Sequence, residues 1–174
     1  RDQHVICFSP HPDDDVISMG GILRKLVENE NEITVAYMTS GNVAVFDHDV
    51  RRHLDFLRRL AAERHIPAAL VDALGRRVND FLAAKRPGDV DIPEIQDAKR
   101  IIRESEAVAG IRTLGLPDSA ARFLNLPFYQ TGTVRKAPVG AADVAIVRAL
   151  IEELSPDLVF VAGDLSDPHG THRM

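Results

Sequence analysis

The sequence predicts an α/β fold, a Rossmann-like three-layer sandwich built on a mostly parallel sheet. Three observations carry that expectation. Residues 4–8, His-Val-Ile-Cys-Phe, form a short apolar run without polar alternation, as in a strand buried on both faces. Over residues 4–39 a strand, a helix and a second strand succeed one another, a βαβ unit that is right-handed almost without exception. Near the other end, an amphipathic helix pattern at 140–154 leads into a second buried run at 157–163. Strands alternating with helices give helices on both faces of a parallel sheet.

The elements follow in order. Residues 18–29 carry Ile22, Leu23, Leu26 and Val27 at helical spacing, with Ser18 as N-cap. Gly20 and Gly21 in that first turn cost helix propensity, which fits a close approach of another backbone or a ligand. Residues 32–39 read as the second strand and Ser40-Gly41-Asn42 as the loop at its end. A helix over 49–64 places Val50, Leu54, Leu57, Leu60 and Ala61 on one face, with arginines opposite. Another covers 68–84, and Lys85-Arg86-Pro87-Gly88-Asp89 is a turn. Ile92-Pro93-Glu94 opens a helix expected to end near residue 109, and residues 111–116 read as a short strand. Residues 117–138, with Pro117, Pro127, Gly132 and Pro138, read as a loop long enough to be functional. In the 140–154 helix Val144, Val147, Ile151 and Leu154 share a face, and Pro156 stops it.

A length of 174 residues suits one domain with its own core. The expectation is a single domain over 1–174 with a helical insertion at about 45–100. Hydrophobic residues at 45% and charged residues at 27% describe an ordinary soluble globular chain. A net charge of -5 argues against a nucleic-acid surface as the main partner. No apolar run approaches the length of a membrane span, and no signal peptide is in view, so a cytoplasmic location is expected. The single Cys7 excludes an internal disulfide and reads as a small buried hydrophobe. The chain opens at Arg1 without Met and closes two residues after His172. It therefore reads as a domain taken from a longer protein and truncated at the C-terminus.

The chemistry concentrates in Ser9-Pro10-His11-Pro12-Asp13-Asp14-Asp15, the turn after the first strand. Three consecutive carboxylates repel one another. A helix N-terminus offsets part of that repulsion, and a divalent cation offsets more. Imidazole with carboxylate is a donor mixture that suits zinc. The complementary cluster is Asp167-Pro168-His169-Gly170-Thr171-His172, after the last strand. Ligands of open parallel sheets bind beyond the carboxyl ends of the strands, so the two clusters share a rim. A catalytic zinc keeps three protein ligands and an open position. His11 and Asp14, at i and i+3, share a face, and a histidine of the second cluster supplies the third ligand. Asp13 then points elsewhere, where it can take a proton from an attacking water. The other histidine can steady charge on the substrate oxygen or protonate the leaving group. Phe123, Phe128 and Tyr129 either wall the cleft or pack the core. Arg103 and Glu106 are either a solvated helix pair or neighbours of the site. His48, His53 and His65 read as surface residues.

These residues carry a pattern. The chain resembles the PIG-L/LmbE-like family of zinc-dependent N-deacetylases, whose signature is His-Pro-Asp-Asp-Glu after the first strand and His-x-x-His after a later one. Here the motifs read His11-Pro12-Asp13-Asp14-Asp15 and His169-Gly170-Thr171-His172. Thr39-Ser40-Gly41 matches a Thr-x-Gly after the second strand. Arg103-Glu104-Ser105-Glu106, followed by Leu114-Gly115, matches an Arg-x-x-Glu ahead of a Leu-Gly strand. The resemblance implies Zn²⁺, or another divalent metal, held by His11, Asp14 and His172. It implies Asp13 as general base and His169 as a stabiliser of the tetrahedral intermediate, with Ser40, Gly41, Asn42 and Arg103 binding substrate. The implied reaction is removal of an N-acetyl group from an N-acetylglucosamine-type amino sugar or conjugate. The residues around both motifs are also similar to a domain fused to a glucosamine-6-phosphate-deaminase-like domain in some bacteria, so a covalent fusion of that kind is implied. Three features depart from the pattern: Asp15 replaces Glu, region 45–100 is long and helical, and the chain ends at Met174.

Two other readings compete. A Mg²⁺-dependent phosphatase of the haloacid-dehalogenase type would use Asp13-Asp14-Asp15, Thr39 or Ser40, and Gly163-Asp164 with Asp167. It leaves His11, His169 and His172 without a role and needs its Asp directly after the strand. The second is a non-catalytic sugar-binding or accessory module of a glucosamine-6-phosphate-deaminase-like fusion. A dinucleotide-binding domain is disfavoured because no Gly-x-Gly-x-x-Gly follows a strand.

Overall fold

In the computed structural model, which describes residues 1–161, 166 and 170–173, the first apolar run forms strand β1 (His4–Ser9), buried from Val5 onward. Strand β2 (Glu32–Tyr37) and strand β4 (Leu158–Phe160) pair with it on either side, and β3 (Ala121–Phe123) pairs with β2. All these pairings are parallel, and the order is β3-β2-β1-β4. The chain is thus the α/β protein that the sequence predicts. Its helices are α1 (Asp14–Glu28), α2 (Asp47–Glu63), α3 (Ala69–Ala84), α4 (Pro93–Thr113) and α5 (Ala141–Leu154).

The chain divides into two compact units. The first comprises Arg1–Gly41, Arg103–Thr131 and Arg135–Met174 and contains the sheet. Alternate residues of its central strands point to opposite faces. Val5, Cys7, Ile33, Val35 and Tyr37 meet Leu23 of α1 and Ala107 and Ile111 of α4. Ile6, Phe8 and Ala36 meet Leu150 of α5. Helices therefore cover both faces, giving three layers.

The second unit comprises Asn42–Ile102 with Gly132–Val134. It has a core of its own, in which Val45, Val50 and Leu54 pack with Val78, Ile95 and Ile102. Beside that core, Lys85 and Lys99 each bridge both Asp47 and Asp91 at 2.7–2.8 Å, a closed ring of alternating charge.

Several local expectations are corrected. Helix α1 starts at Asp14, not Ser18, with Asp13 at the N-cap position. Its first turn opens on two carboxylates, and the apolar Ile17 that follows is exposed, so the turn does not extend the buried apolar stripe. Ile22 is half exposed, and the buried stripe is Leu23 with Leu26 and Val27 packed beside it. Neither Gly20 nor Gly21 meets a close backbone: a Cβ on Gly20 would stand 3.9 Å from Leu114, and one on Gly21 would meet open space. Residues 111–113 are the last turn of α4 rather than a strand. The helix closes with the Leu116 N–H donating to the Ile111 carbonyl and the Gly115 N–H to that of Arg112, with Gly115 at φ +89°. This is the left-handed helix stop, and its paired apolar residues Ile111 and Leu116 both enter the core. The third strand lies instead at Ala121–Phe123, inside the segment read as loop, which also holds two short 3₁₀ turns. On α2, Leu57 and Leu60 lie outside the buried stripe.

Candidate metal centre

The turn after β1 is pinned from both adjoining strands. The Ser9 hydroxyl donates to the His11 carbonyl at 2.6 Å and accepts the Asp15 N–H at 3.0 Å. From the end of β2, the Thr39 hydroxyl donates to the Pro10 carbonyl at 2.7 Å. The chain then enters α1, so Asp14 and Asp15 occupy the first helical turn, where the helix dipole favours negative charge.

The three adjacent carboxylates have three different partners. Asp13 pairs with Arg103 of α4 at 2.9 Å. Asp14 Oδ2 accepts the His11 backbone N–H at 2.9 Å and lies 2.9 Å from His11 Nδ1 and 3.2 Å from His172 Nε2. Asp15 is buried and accepts the Tyr37 hydroxyl at 2.9 Å. Desolvation pushes the Asp15 carboxyl above the usual carboxylate range, against the pull of Tyr37, Ser9 and backbone N–H groups. For Asp14 the balance is reversed. Burial pushes it up, but the His11 hydrogen bonds and the nearby imidazoles hold it below its ordinary value.

His172 lies in the 3₁₀ turn Thr171–Arg173 beyond β4. Because β4 lies beside β1, the carboxyl-end loops of the two strands open on one crevice, where the strand order reverses direction. The His11 and His172 rings are 5.3 Å apart and tilted by 46°. One ligand atom from each of His11, Asp14 and His172 lies within 4.8 Å of the others. Two imidazole nitrogens and one carboxylate oxygen, each on a side chain about one-fifth exposed, make a donor set suited to zinc.

Tyr129 meets the His11 ring edge-on at 6.1 Å, and Lys136 Nζ lies 3.4 Å above the Tyr129 ring centroid. Burial pushes the Lys136 amine down to about 8. Phe128 and Tyr129 are core residues, although Tyr129 also borders the cluster, and Phe123 stacks on Tyr37. Of the expected substrate-binding residues, Ser40 and Asn42 are buried, Asn42 within the second unit. Gly41 adopts φ +61° and packs against Pro12. Arg103 stands beside Asp13. His169, Asp164 and Asp167 lie outside the described residues. Tyr37 was not among the residues expected at the site. The usable signal was a polar-tipped aromatic at the end of a buried strand, a position that needs a hydrogen-bond partner.

The profile of PIG-L, described as GlcNAc-PI de-N-acetylase, matches residues 6–174. The chain belongs to the PIG-L family. Among curated relatives, it is 46% identical over 173 residues to a putative glucosamine-6-phosphate deaminase-like protein of Bacteroides thetaiotaomicron, covering 99% of this chain and 26% of that one. It is 30% identical over 98 residues to a diacetylchitobiose deacetylase of Thermococcus kodakarensis, covering 56% of this chain and 34% of that one. This PIG-L chain thus spans about a quarter of the first relative's length, and the match says nothing of the remainder, so the expected fusion has no direct support. No solved structure matches the chain significantly. Membership in PIG-L, with two imidazoles in the cluster, leaves the magnesium phosphatase reading without support. Among the described residues no helix is long and apolar enough to cross a membrane.

Proposed function

We propose that this chain is a zinc-dependent N-deacetylase that removes the acetyl group from an N-acetylglucosamine-type amino sugar or conjugate. The observation that carries the reading is the convergence of His11, Asp14 and His172 within 4.8 Å, beside an Asp13 that is not part of the group. Family membership and the deacetylase relative support the reaction class, and that relative's name, diacetylchitobiose deacetylase, supports the amino-sugar substrate.

His11, Asp14 and His172 would hold the ion. When bound, zinc supplies a Lewis acid that polarises the amide carbonyl and acidifies water. The remaining work belongs to the chain. Asp13, with a side chain 41% exposed, takes the proton of the attacking water and returns it to the departing amine. The acetyl C–N bond breaks, and acetate and the free amino sugar leave. His169 is assigned to steady the oxyanion. Tyr129 stands edge-on to the His11 ring.

The test is acetate release from a panel of N-acetylated amino sugars, with chelator and with Zn²⁺ restored. Activity should vanish on chelation and return with Zn²⁺. His172→Ala should bind Zn²⁺ at least about tenfold more weakly and lose turnover. A zinc-loaded wild-type protein that releases no acetate from any member would sink the reading.

A further inference from the structure

Asp13 is the one carboxylate of the turn whose partner comes from outside both the metal cluster and the buried strand ends. We propose that Arg103 is a positioning residue, which holds the Asp13 carboxylate in place as a base and out of the coordinating set. This inference rests on the deacetylase reading and assigns Arg103 a different role from the substrate-binding one that the resemblance implied.

The geometry is specific. Arg103 Nη2 lies 2.9 Å from Asp13 Oδ2, and Nη1 lies 3.0 Å from Glu106 Oε2, one helical turn further along α4. A guanidinium is a rigid planar fork, so engaging both terminal nitrogens fixes its plane as well as its position. Its side chain is 16% exposed against 41% for Asp13. The arginine is therefore the anchored member and the carboxylate the accessible one. Gly41 is shaped to this arrangement. A Cβ there would stand 2.8 Å from Pro12 Cδ and 3.2 Å from Arg103 Nε, so only glycine lets the loop after β2 close on both. The Nε itself finds no acceptor among the described residues, which leaves Asp13 and Glu106 as the anchors.

The chemistry needs such a restraint. A carboxylate adjacent in sequence to Asp14 has two unproductive choices: to turn toward the cluster as a further ligand, or to turn away into water. An ion pair to a fixed guanidinium opposes both. Both observed ion pairs of the guanidinium go to carboxylates of the chain itself, so its orientation is set before any substrate arrives.

The test compares wild type, Arg103→Lys, Arg103→Gln, Asp13→Asn and the double variant Arg103→Gln with Asp13→Asn. Each is assayed for kcat and KM with Zn²⁺ loaded, and each is titrated with Zn²⁺ after chelation. Arg103→Gln should lower kcat about 10- to 100-fold while KM stays within about threefold. Arg103→Lys should retain the larger share of kcat, and it separates loss of charge from loss of fold. On the Asp13→Asn background the Arg103→Gln change should cost less than about threefold, because its target is already gone. A loss confined to KM, or a full loss on that background, overturns the proposal. If wild type releases no acetate, the deacetylase reading falls and the Zn²⁺ titrations judge the pairing alone. Arg103→Gln should then shift Zn²⁺ affinity by different factors with Asp13 present and absent. Equal factors overturn it.

Discussion

Asp15 stands where the family's motif has Glu, one methylene longer, and here the shorter side chain is buried against partners of its own. Tyr37 at the end of β2 reaches across to it, placing a hydroxyl 2.9 Å from Oδ2, while Ser9 Oγ holds its backbone N–H. Asp15 directly follows Asp13 and Asp14, so anchoring it fixes the helix start that carries both neighbours. Tyr37→Phe would leave a buried carboxylate oxygen without its donor while keeping the stacking on Phe123, whose ring centroid is 5.0 Å away. Stranding a buried acceptor costs about 1–3 kcal/mol. Urea unfolding of the metal-free protein should register a loss in that range. A change within a few tenths of a kcal/mol would mean that water replaces the hydroxyl at no cost.

The helix stop after α4 makes the corresponding argument for an element. Gly115 sits at φ +89°, and a Cβ there would find only ordinary contacts, the nearest being Val27 Cγ1 at 3.6 Å. The strain of Gly115→Ala is therefore conformational and amounts to about 1–2 kcal/mol. It should appear as a lower unfolding midpoint with the helix content of the folded state unchanged. An unshifted midpoint would show that the stop tolerates another geometry. The same few residues explain what the sequence could and could not reveal. Ile111 and Leu116 bury on one side because the turn folds back on itself, whereas in one dimension Ile111, Leu114 and Leu116 read as a short apolar run and hence as a strand. The true third strand is three residues long and only half buried, so its state comes from pairing with Val35–Tyr37 rather than from its own pattern. By contrast β1 and β2 were legible because each is a short run rich in apolar β-formers, and the cluster of His11, Asp14 and His172 because motif and sheet-rim logic converge. Arg103 and Tyr37 reach the turn across the fold from α4 and β2. The sequence marks Arg103 as a possible neighbour of the site and holds in Tyr37 an aromatic in need of a partner, but it does not show that Asp13 and Asp15 are those partners.

At the scale of the whole molecule, the two units hold themselves together differently. The sheet unit relies on apolar layers on both faces of its strands. The helical unit has a smaller core and adds the ring in which Lys85 and Lys99 join Asp47 at the start of α2 to Asp91 ahead of α4. Burial alone would push the Asp47 carboxyl up, but hydrogen bonds from Lys85 and Lys99 outweigh it and hold it below its ordinary value of 3.8. A carboxyl depressed in the folded state contributes stability that is fully present above its unfolded value. That contribution is lost as pH falls through the folded one. Lys85 is raised above 10.5 by the same carboxylates, against its own desolvation, so its contribution is present below that value and fades only in strong alkali. The ring should thus support the helical unit across the neutral range and weaken first on the acid side. Asp47→Asn isolates the effect. With metal removed, the variant should unfold at lower urea than wild type at about pH 6, and the gap should narrow as pH drops below about 4. Because Asp47 is more than one-third exposed, solvent screening limits the size of the gap, and its pH dependence is the diagnostic quantity. A gap of constant size from about pH 6 to about pH 3 would mean that the carboxylate is not what the lysines stabilise, and that the ring acts through packing of the lysine stems alone.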